Sequence, residues 1–148
     1  MKILVVNAGS SSLKYQLIDM QNESVILKGL CERITFTGGQ LSQKTFDGKE
    51  IVIKQDMPTH KEAMQLVLTA MLDKENGALK SIDEISAVGH RVLHSAEDFK
   101  CSVVIDDEVI KTCEKNAVFG PLHMPANIAC IKSCKEVMPS VPMVAVFD

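Results

Sequence analysis

The chain opens with four consecutive apolar residues, Ile3-Leu4-Val5-Val6, stopped by Asn7 and followed at once by a run of small ones, Ala8-Gly9-Ser10-Ser11-Ser12. A short β-rich apolar run that ends on a polar residue has the pattern of a strand buried in a sheet. The Gly/Ser stretch is a turn by composition. Beyond it, residues 13–19 (Leu-Lys-Tyr-Gln-Leu-Ile-Asp) partly alternate, as a second strand does. These opening residues commit the chain to a sheet before anything else about it is decided.

The next forty residues continue that theme. Residues 24–30, a stretch near Ile34, residues 41–46 and residues 51–54 are strand-like, separated by Gly38-Gly39 and by Asp47-Gly48, a favourable hairpin turn. The opening third thus reads as an antiparallel meander. At Thr59-His60-Lys61-Glu62 the character changes: Thr-x-x-Glu is a capping box, and Ala63, Leu66, Val67, Ala70 and Met71 recur behind it at helical spacing up to Asn76-Gly77. Ile85-Ser86-Ala87-Val88 leads into Gly89-His90-Arg91 as a short strand. A helix capped by Asp106 or Asp107 carries Val109, Ile110, Cys113 and Ala117 and is stopped by Gly120-Pro121. Another helix starts near Pro125 and runs through Ile128, Ile131 and Val137 to Pro139. Pro142 to Phe147 is a last buried strand, followed by Asp148. Strands followed by strand–helix alternation predict a mixed α/β domain, with crossover helices making the strands they join parallel.

Composition narrows the class. The 148 residues amount to about one domain, with 46% hydrophobic and 24% charged residues, as in folded globular chains. A net charge of −3 and six aromatic side chains, one Tyr and five Phe, offer neither the basic field nor the stacking platforms of a nucleic-acid binder. No segment approaches the ~20 apolar residues of a membrane span, and the run at Ile3 is shorter than the ~7–15 apolar residues of a secretion signal. The expectation is a cytoplasmic protein without membrane or nucleic-acid partners. The five cysteines, Cys31, Cys101, Cys113, Cys130 and Cys134, are odd in number and lack a Cys-x-x-Cys pair, so they read as buried, reduced thiols. Cys130 and Cys134 could share a helix face, but two ligands are too few for a structural metal.

Chemistry gathers where apolar strands end on polar residues: Asn7 after Ile-Leu-Val-Val, His90 and Arg91 after Ile-Ser-Ala-Val-Gly, Asp148 after Met-Val-Ala-Val-Phe. If those strands are parallel, these groups lie at one edge of the sheet, where open α/β sheets bind ligands. Taken singly, Asn7 and Asp148 read better as turn starters; taken together, with a Gly/Ser loop beside Asn7, they read as a site. The loop from Asn7 to Lys14 has the chemistry of a phosphate cradle: Gly9 permits close backbone approach, Ser10, Ser11 and Ser12 offer hydroxyls beside free amides, and Lys14 adds charge. It is not a P-loop, because the G-x-x-x-x-G-K-[ST] spacing is absent and a strand follows. Its setting between two N-terminal strands resembles the phosphate hairpin of the actin-like ATPase and sugar-kinase superfamily.

Four segments carry a closer resemblance. Met-Lys-Ile-Leu-Val-Val-Asn-Ala-Gly-Ser-Ser-Ser-Leu-Lys-Tyr (1–15) is similar to the opening signature of the acetate kinases; Gly89-His90-Arg91-Val92-Leu93-His94, Pro121-Leu122-His123-Met124-Pro125-Ala126-Asn127 and Val144-Ala145-Val146-Phe147-Asp148 resemble three further motifs of that family. The resemblance implies an actin-like (ribonuclease H-like) α/β domain: a mixed sheet with an N-terminal antiparallel meander and flanking helices. It also implies a phosphotransferase with a carboxyl acceptor, which moves a phosphoryl group reversibly between ATP and acetate, giving acetyl phosphate and ADP, with Mg2+ or Mn2+. Carried over, Asn7 lies by metal and phosphates; Ser10, Ser12 and Lys14 surround phosphate groups; Arg91 binds acetate or acetyl phosphate; Leu93 and Leu122 line the pocket for the methyl group. His123 touches transferring phosphoryl oxygens, and Asp148 acts near the acceptor and the metal. A carboxylate acceptor is already ionised near neutral pH, so Asp148 reads first as a metal-positioning or electrostatic residue. His90 and His94 read as structural or supporting residues, and His60 as a solvated helix residue.

Two departures from the family pattern stand out: Ser95-Ala96 follows His94 in place of Gly-Gly, and Leu93 replaces valine, adding one methylene, worth ~1–3 kcal/mol, to the presumed pocket. Family members are also much longer. The expectation is that residues 1–148 form the N-terminal actin-like domain of a two-domain kinase, inactive without the second domain, with homodimerisation belonging to the full-length family. The alternative is a non-catalytic nucleotide-, phosphate- or protein-binding module that retains the fold.

Overall fold

In a computed structural model the chain is described over residues 1–92, 103–104 and 124–147. Strands β1 (Lys2–Ala8), β2 (Ser12–Asp19), β3 (Ser24–Glu32), β4 (Gln40–Thr45) and β5 (Glu50–Lys54) form the meander. Helix α1 (His60–Met71), a 3₁₀ turn (Ile82–Glu84), β6 (Ile85–Val92), β7 (Val103–Val104), α2 (Met124–Val137) and β8 (Met143–Phe147) follow. The described strands make one mixed sheet of eight in the order β5-β4-β3-β2-β1-β6-β8-β7. β1 is the hinge of the topology, antiparallel to β2 and parallel to β6. β6 is in turn parallel to β8. The expected mixed α/β sheet is therefore present, with β1, β6 and β8 running the same way. The helix expected after Asp106 lies outside the described residues, as do Cys101 and Cys113. Strand β7, an antiparallel edge to β8, was not anticipated from its Val103-Val104 pair.

The meander splits its side chains by parity. Leu4, Val6 and Ala8 on β1, Leu13, Tyr15 and Leu17 on β2, Leu27 and Cys31 on β3, and Leu41 on β4 are buried on one side. Onto this side pack α1, through Ala63, Met64, Val67, Ala70 and Met71, and α2, through Ile131 and Cys134. Burying such side chains contributes about 1.5–3 kcal/mol apiece before entropy is counted, which fixes the strand register. Met64 and Met71 are core residues, as their spacing suggested. Among the described residues, no helix is long and apolar enough to cross a membrane.

Local signals set the element ends. Thr59 caps α1: its hydroxyl accepts from the Lys61 amide at 3.2 Å, and Glu62 accepts from the Thr59 amide at 2.9 Å. The helix stops at Met71, one turn before Asn76-Gly77. The Asp73 carboxylate there accepts the Glu75 and Asn76 amides, and the Ala78 and Leu79 amides return to the Met71 carbonyl at 2.9 Å. A side chain on Gly77 would place its Cβ 2.5 Å from that carbonyl oxygen, so the turnback needs glycine. The segment near Ile34 is not a strand. Arg33 and Thr35 flank it with φ of 58° and 75°, and Ile34, fully buried, donates its amide to the Ser11 carbonyl at 2.9 Å. Tertiary anchoring has overridden an apolar pattern too short to bind a neighbouring strand.

One buried polar relay ties the meander to α1. The Tyr15 hydroxyl donates to Gln43 Oε1 at 2.7 Å, and Gln43 Nε2 donates to the Ala70 carbonyl at 3.0 Å. The Tyr15 ring lies across Gly29, where an added Cβ would sit 2.1 Å from Cζ. Gly29→Ala is expected to cost about 3 kcal/mol by overpacking. Tyr15→Phe, which strands the buried Gln43 oxygen, is expected to cost about 1–3 kcal/mol. Urea unfolding of both variants is the check, and an unchanged midpoint for Gly29→Ala would contradict this packing.

Glu84 closes the 3₁₀ turn. Its carboxylate accepts the Lys80 amide at 2.5 Å, the Lys2 ammonium at 3.0 Å and the Ser81 amide at 3.2 Å. Those partners, the Lys80 amide foremost, hold its pKa down at about 2. The folded state therefore binds this proton less readily than the unfolded chain, whose glutamates titrate near ~4.3. Its contribution to stability is present above that value and is lost as pH falls toward about 2. Glu84→Gln should flatten this part of the acid limb of a stability–pH curve; an unaltered limb would show that the ion contacts carry no linkage.

Candidate functional site

The site is built on the β1–β2 turn, where the Gly9, Ser11 and Ser12 carbonyls are taken and two amides are left. Gly9 donates its amide to the Ser12 carbonyl at 2.9 Å, closing the turn. The Ser11 carbonyl accepts from Ile34, and the Gly9 carbonyl is met by His60 Nε2 at 2.9 Å. A carbonyl oxygen only accepts, so the His60 proton at that contact sits on Nε2. The amides of Ser10 and Ser11 make no hydrogen bond among the described residues. The Ser10 and Ser11 amides are therefore the donors this turn has to offer a ligand. At Gly9 a Cβ would meet the Ser12 hydroxyl at 2.7 Å.

His60 was expected on a solvated helix face. It is instead 6% exposed, at the start of α1 against the turn. The Thr59 cap places the first helical residue over the turn, and no periodicity in the sequence reveals a partner 51 residues away. Similarly, the Ile34 contact joins the β3–β4 loop to the turn from a segment that reads as a strand.

Register places the other residues. Asn7 lies directly opposite Lys14 on the antiparallel neighbour, and Val6 pairs with His90 on the parallel one. Asn7 and Arg91 thus follow one residue later on adjacent strands, at the carboxyl ends of both. The sequence expectation that these groups share a sheet edge holds for Asn7 and Arg91. Asn7, Lys14 and Arg91 also share a face, the one turned away from the helices. They line a concavity of about 690 Å³ that continues over Gln16, Lys28, Ser42, Lys44 and Glu50. Its lining holds four cationic side chains, Lys14, Lys28, Lys44 and Arg91, against the carboxylate of Glu50, which pairs with Lys44 at 3.6 Å. Among the described residues neither Lys14 nor Lys28 has a carboxylate within ion-pair distance. A chain of net charge −3 has therefore collected an excess of positive charge on one face. Lys28 and Lys44, neighbours across β3 and β4, were not singled out in the sequence. Their alternation with buried residues was the available signal.

Ser12 is half-buried at the start of β2, and Ser10 is exposed at the turn. Neither lines the concavity; both belong to the turn at its end. Leu93, Leu122, His123 and Asp148 lie outside the described residues. As a test of the turn's support, His60→Leu keeps volume but leaves the Gly9 carbonyl without its donor. A loss of about 1–3 kcal/mol is expected in chemical denaturation, with faster exchange of the Gly9 amide. Exchange as slow as in the parent would mean the bond is idle.

A mixed sheet with helices on the buried side, a Gly/Ser hairpin between its first two strands and parallel strands β1, β6 and β8 has the fold of an actin-like ATPase domain, and solved structures agree. Acetate kinase from Porphyromonas gingivalis superposes with a TM-score of 0.95 at 39% identity, over 99% of this chain and 37% of that one. A propionate kinase from Francisella tularensis matches with a TM-score of 0.89 at 31% identity, over 99% of this chain and 36% of its own. The family model of the acetokinase family matches residues 2–148, and the chain belongs to that family. An acetate kinase of Caldanaerobacter subterraneus is 56% identical over all 148 residues, which make up 37% of its length. The chain thus spans little more than a third of the relatives it matches.

Proposed function

We propose that this chain is the N-terminal actin-like domain of a two-domain acetate kinase. In that enzyme a second domain joins it in transferring a phosphoryl group from ATP to acetate, giving acetyl phosphate and ADP, reversibly. The observation that carries the reading is the β1–β6 register, which sets Asn7 and Lys14, beside the Ser10 and Ser11 amides, on the same edge as Arg91.

In the forward direction an acetate carboxylate oxygen attacks the γ-phosphorus. A new P–O bond forms, the bond to the β-phosphate oxygen breaks, and ADP leaves with that electron pair. The carboxylate needs no base to attack. The protein's task is to hold both anions in line and to neutralise charge on the phosphoryl oxygens. Arg91 offers a planar fork that matches a carboxylate or a phosphoryl group with paired hydrogen bonds. The Ser10 and Ser11 amides, the Ser10 and Ser12 hydroxyls and the Lys14 ammonium receive phosphate oxygens. Leu93 and Leu122 would enclose the acetate methyl, His123 would contact the moving phosphoryl group, and Asp148 would act electrostatically near the acceptor; these four roles rest on motif resemblance.

A divalent ion, Mg2+ or Mn2+, belongs to this reading. The donor chemistry fits an ion that arrives on the nucleotide rather than one caged by protein. The amide oxygen of Asn7 stands exposed among cations, and Asp148 would supply the carboxylate. When bound, the ion neutralises phosphate charge. Homodimerisation through the second domain and a cytoplasmic location complete the proposal.

Isothermal titration with acetyl phosphate tests it. Arg91→Ala and Lys14→Ala should each weaken binding about 10–100-fold, the worth of a charge-assisted hydrogen bond. Wild-type affinity in both variants would remove the site. The purified chain should turn over ATP and acetate negligibly, and acetyl phosphate formation near the rate of the two-domain relatives would overturn the need for a second domain.

A further inference from the structure

The buried side of β6 carries a second group of reactive atoms. While Arg91 faces the open concavity, His90 points the other way and is 3% exposed. Opposite it, α2 presents Cys130 and Cys134, four residues apart and hence on one helix face, 1% and 0% exposed. A ring nitrogen of His90 and both Sγ atoms all lie within 4.8 Å of one another. Met143 on β8 brings a thioether Sδ to 3.3 Å from His90 Nε2. β6 and α2 thus bring one nitrogen and two thiol sulfurs together, and β8 sets a thioether against the same imidazole.

We propose that His90, Cys130 and Cys134, with Met143 as a weak further donor, form a buried binding site for one thiophilic d10 cation of the Cu+, Zn2+ or Cd2+ type. The geometry is close to what such an ion needs. Bond lengths of about 2.3 Å to sulfur and about 2.0 Å to nitrogen put donors roughly 3.5–3.8 Å apart. The observed separations, within 4.8 Å, stand about an ångström above those values at most. Softness agrees: thiolate and thioether sulfur with imidazole selects these ions over hard Mg2+ or Ca2+. This site is separate from the oxygen- and amide-rich edge on the other face of the sheet.

The free thiols are already arranged for metal. Cys130, Cys134 and His90 lie side by side in the core, with both thiols free. Cys31, on β3, is buried as well but is not among the groups that lie within 4.8 Å of one another. Binding would exchange thiol protons for the ion. The spacing of Cys130 and Cys134 supplied two ligands in the sequence; the third comes from a strand forty residues earlier, which no spacing rule reveals. Because all donors are buried, loading would occur during folding or through opening of α2, and the ion would then brace α2 against the strand that carries Arg91.

The test uses the 148-residue chain. The reduced chain is unfolded and refolded with Cd2+, passed over a chelating resin, and assayed for bound metal, the thiolate-to-cadmium ultraviolet band and melting temperature. One retained ion per chain, the band, and a raised melting temperature are expected. Cys130→Ala and Cys134→Ala should each weaken binding at least about 100-fold, since even outer-shell changes act on a scale of 10–100-fold. A chain with Cys31, Cys101 and Cys113 all replaced by alanine should bind as the parent does. No retained cadmium, or equal retention by Cys130→Ala, overturns the proposal. Should either alanine variant fail to fold, X-ray absorption on the cadmium-loaded parent decides. Two or three sulfurs with one nitrogen support the site, and a shell of oxygens or of four sulfurs refutes it.

Discussion

The parallel pairing of β1 with β6 is the contact on which the rest of the molecule depends. β1 and β2 are joined by a tight turn, so their antiparallel partnership is a local matter. The β1–β6 ladder closes more than eighty residues of chain, and its entropy is recovered only when α1 and α2 cover the sheet. Once made, it aligns the carboxyl ends of β1, β6 and β8 and sets residue parity across the strand junction. Leu4, Val6, Val88 and His90 go to the helices; Val5, Asn7, Gly89 and Arg91 go to the other side. A slip of one residue in this ladder would exchange the two sets and bury Arg91.

That parity also separates two electrostatic environments a few ångströms apart. On the helix-covered side polar groups are satisfied by one another, as in the Tyr15–Gln43–Ala70 relay, and among the described residues no buried side-chain polar atom lacks a partner. On the other side, cations gather in a chain that is acidic overall. The β1–β2 turn leaves the Ser10 and Ser11 amides as donors, while its Gly9 and Ser11 carbonyls are held by His60 and Ile34 from outside the turn. The conformation of this turn thus depends on residues outside it, His60 and Ile34.

Much of this was legible in the sequence, and the reasons are local. The apolar run ending at Asn7, the Asp47-Gly48 hairpin, the capping box at Thr59 and the helix beginning near Pro125 each encode their geometry within a few residues. The shared edge of Asn7 and Arg91 followed from one further rule, that strands joined through crossover helices run parallel. What escaped depends on long-range partners. Ile34 looks like a strand residue but is an anchor for the turn, His60 looks solvated but is buried against Gly9, and Lys28 and Lys44 become neighbours only after β3 and β4 pair. The opening fifteen residues carried the family resemblance, and the acetokinase match over residues 2–148 bears it out.

The alternation of His90 and Arg91 links these levels. A strand buried on one face and open on the other must place consecutive residues in opposite surroundings, so a two-residue polar step inside an apolar strand serves two purposes at once. Arg91 is suited to the open side because a guanidinium stays charged and needs anions or water. His90 is suited to the interior because imidazole can be neutral there and can still bind a thiol, a thioether or a soft ion. Exchanging the two would bury a guanidinium among apolar side chains and thiols. The His90-Arg91 order is therefore fixed by physics on both faces of β6, even before any particular ligand is considered.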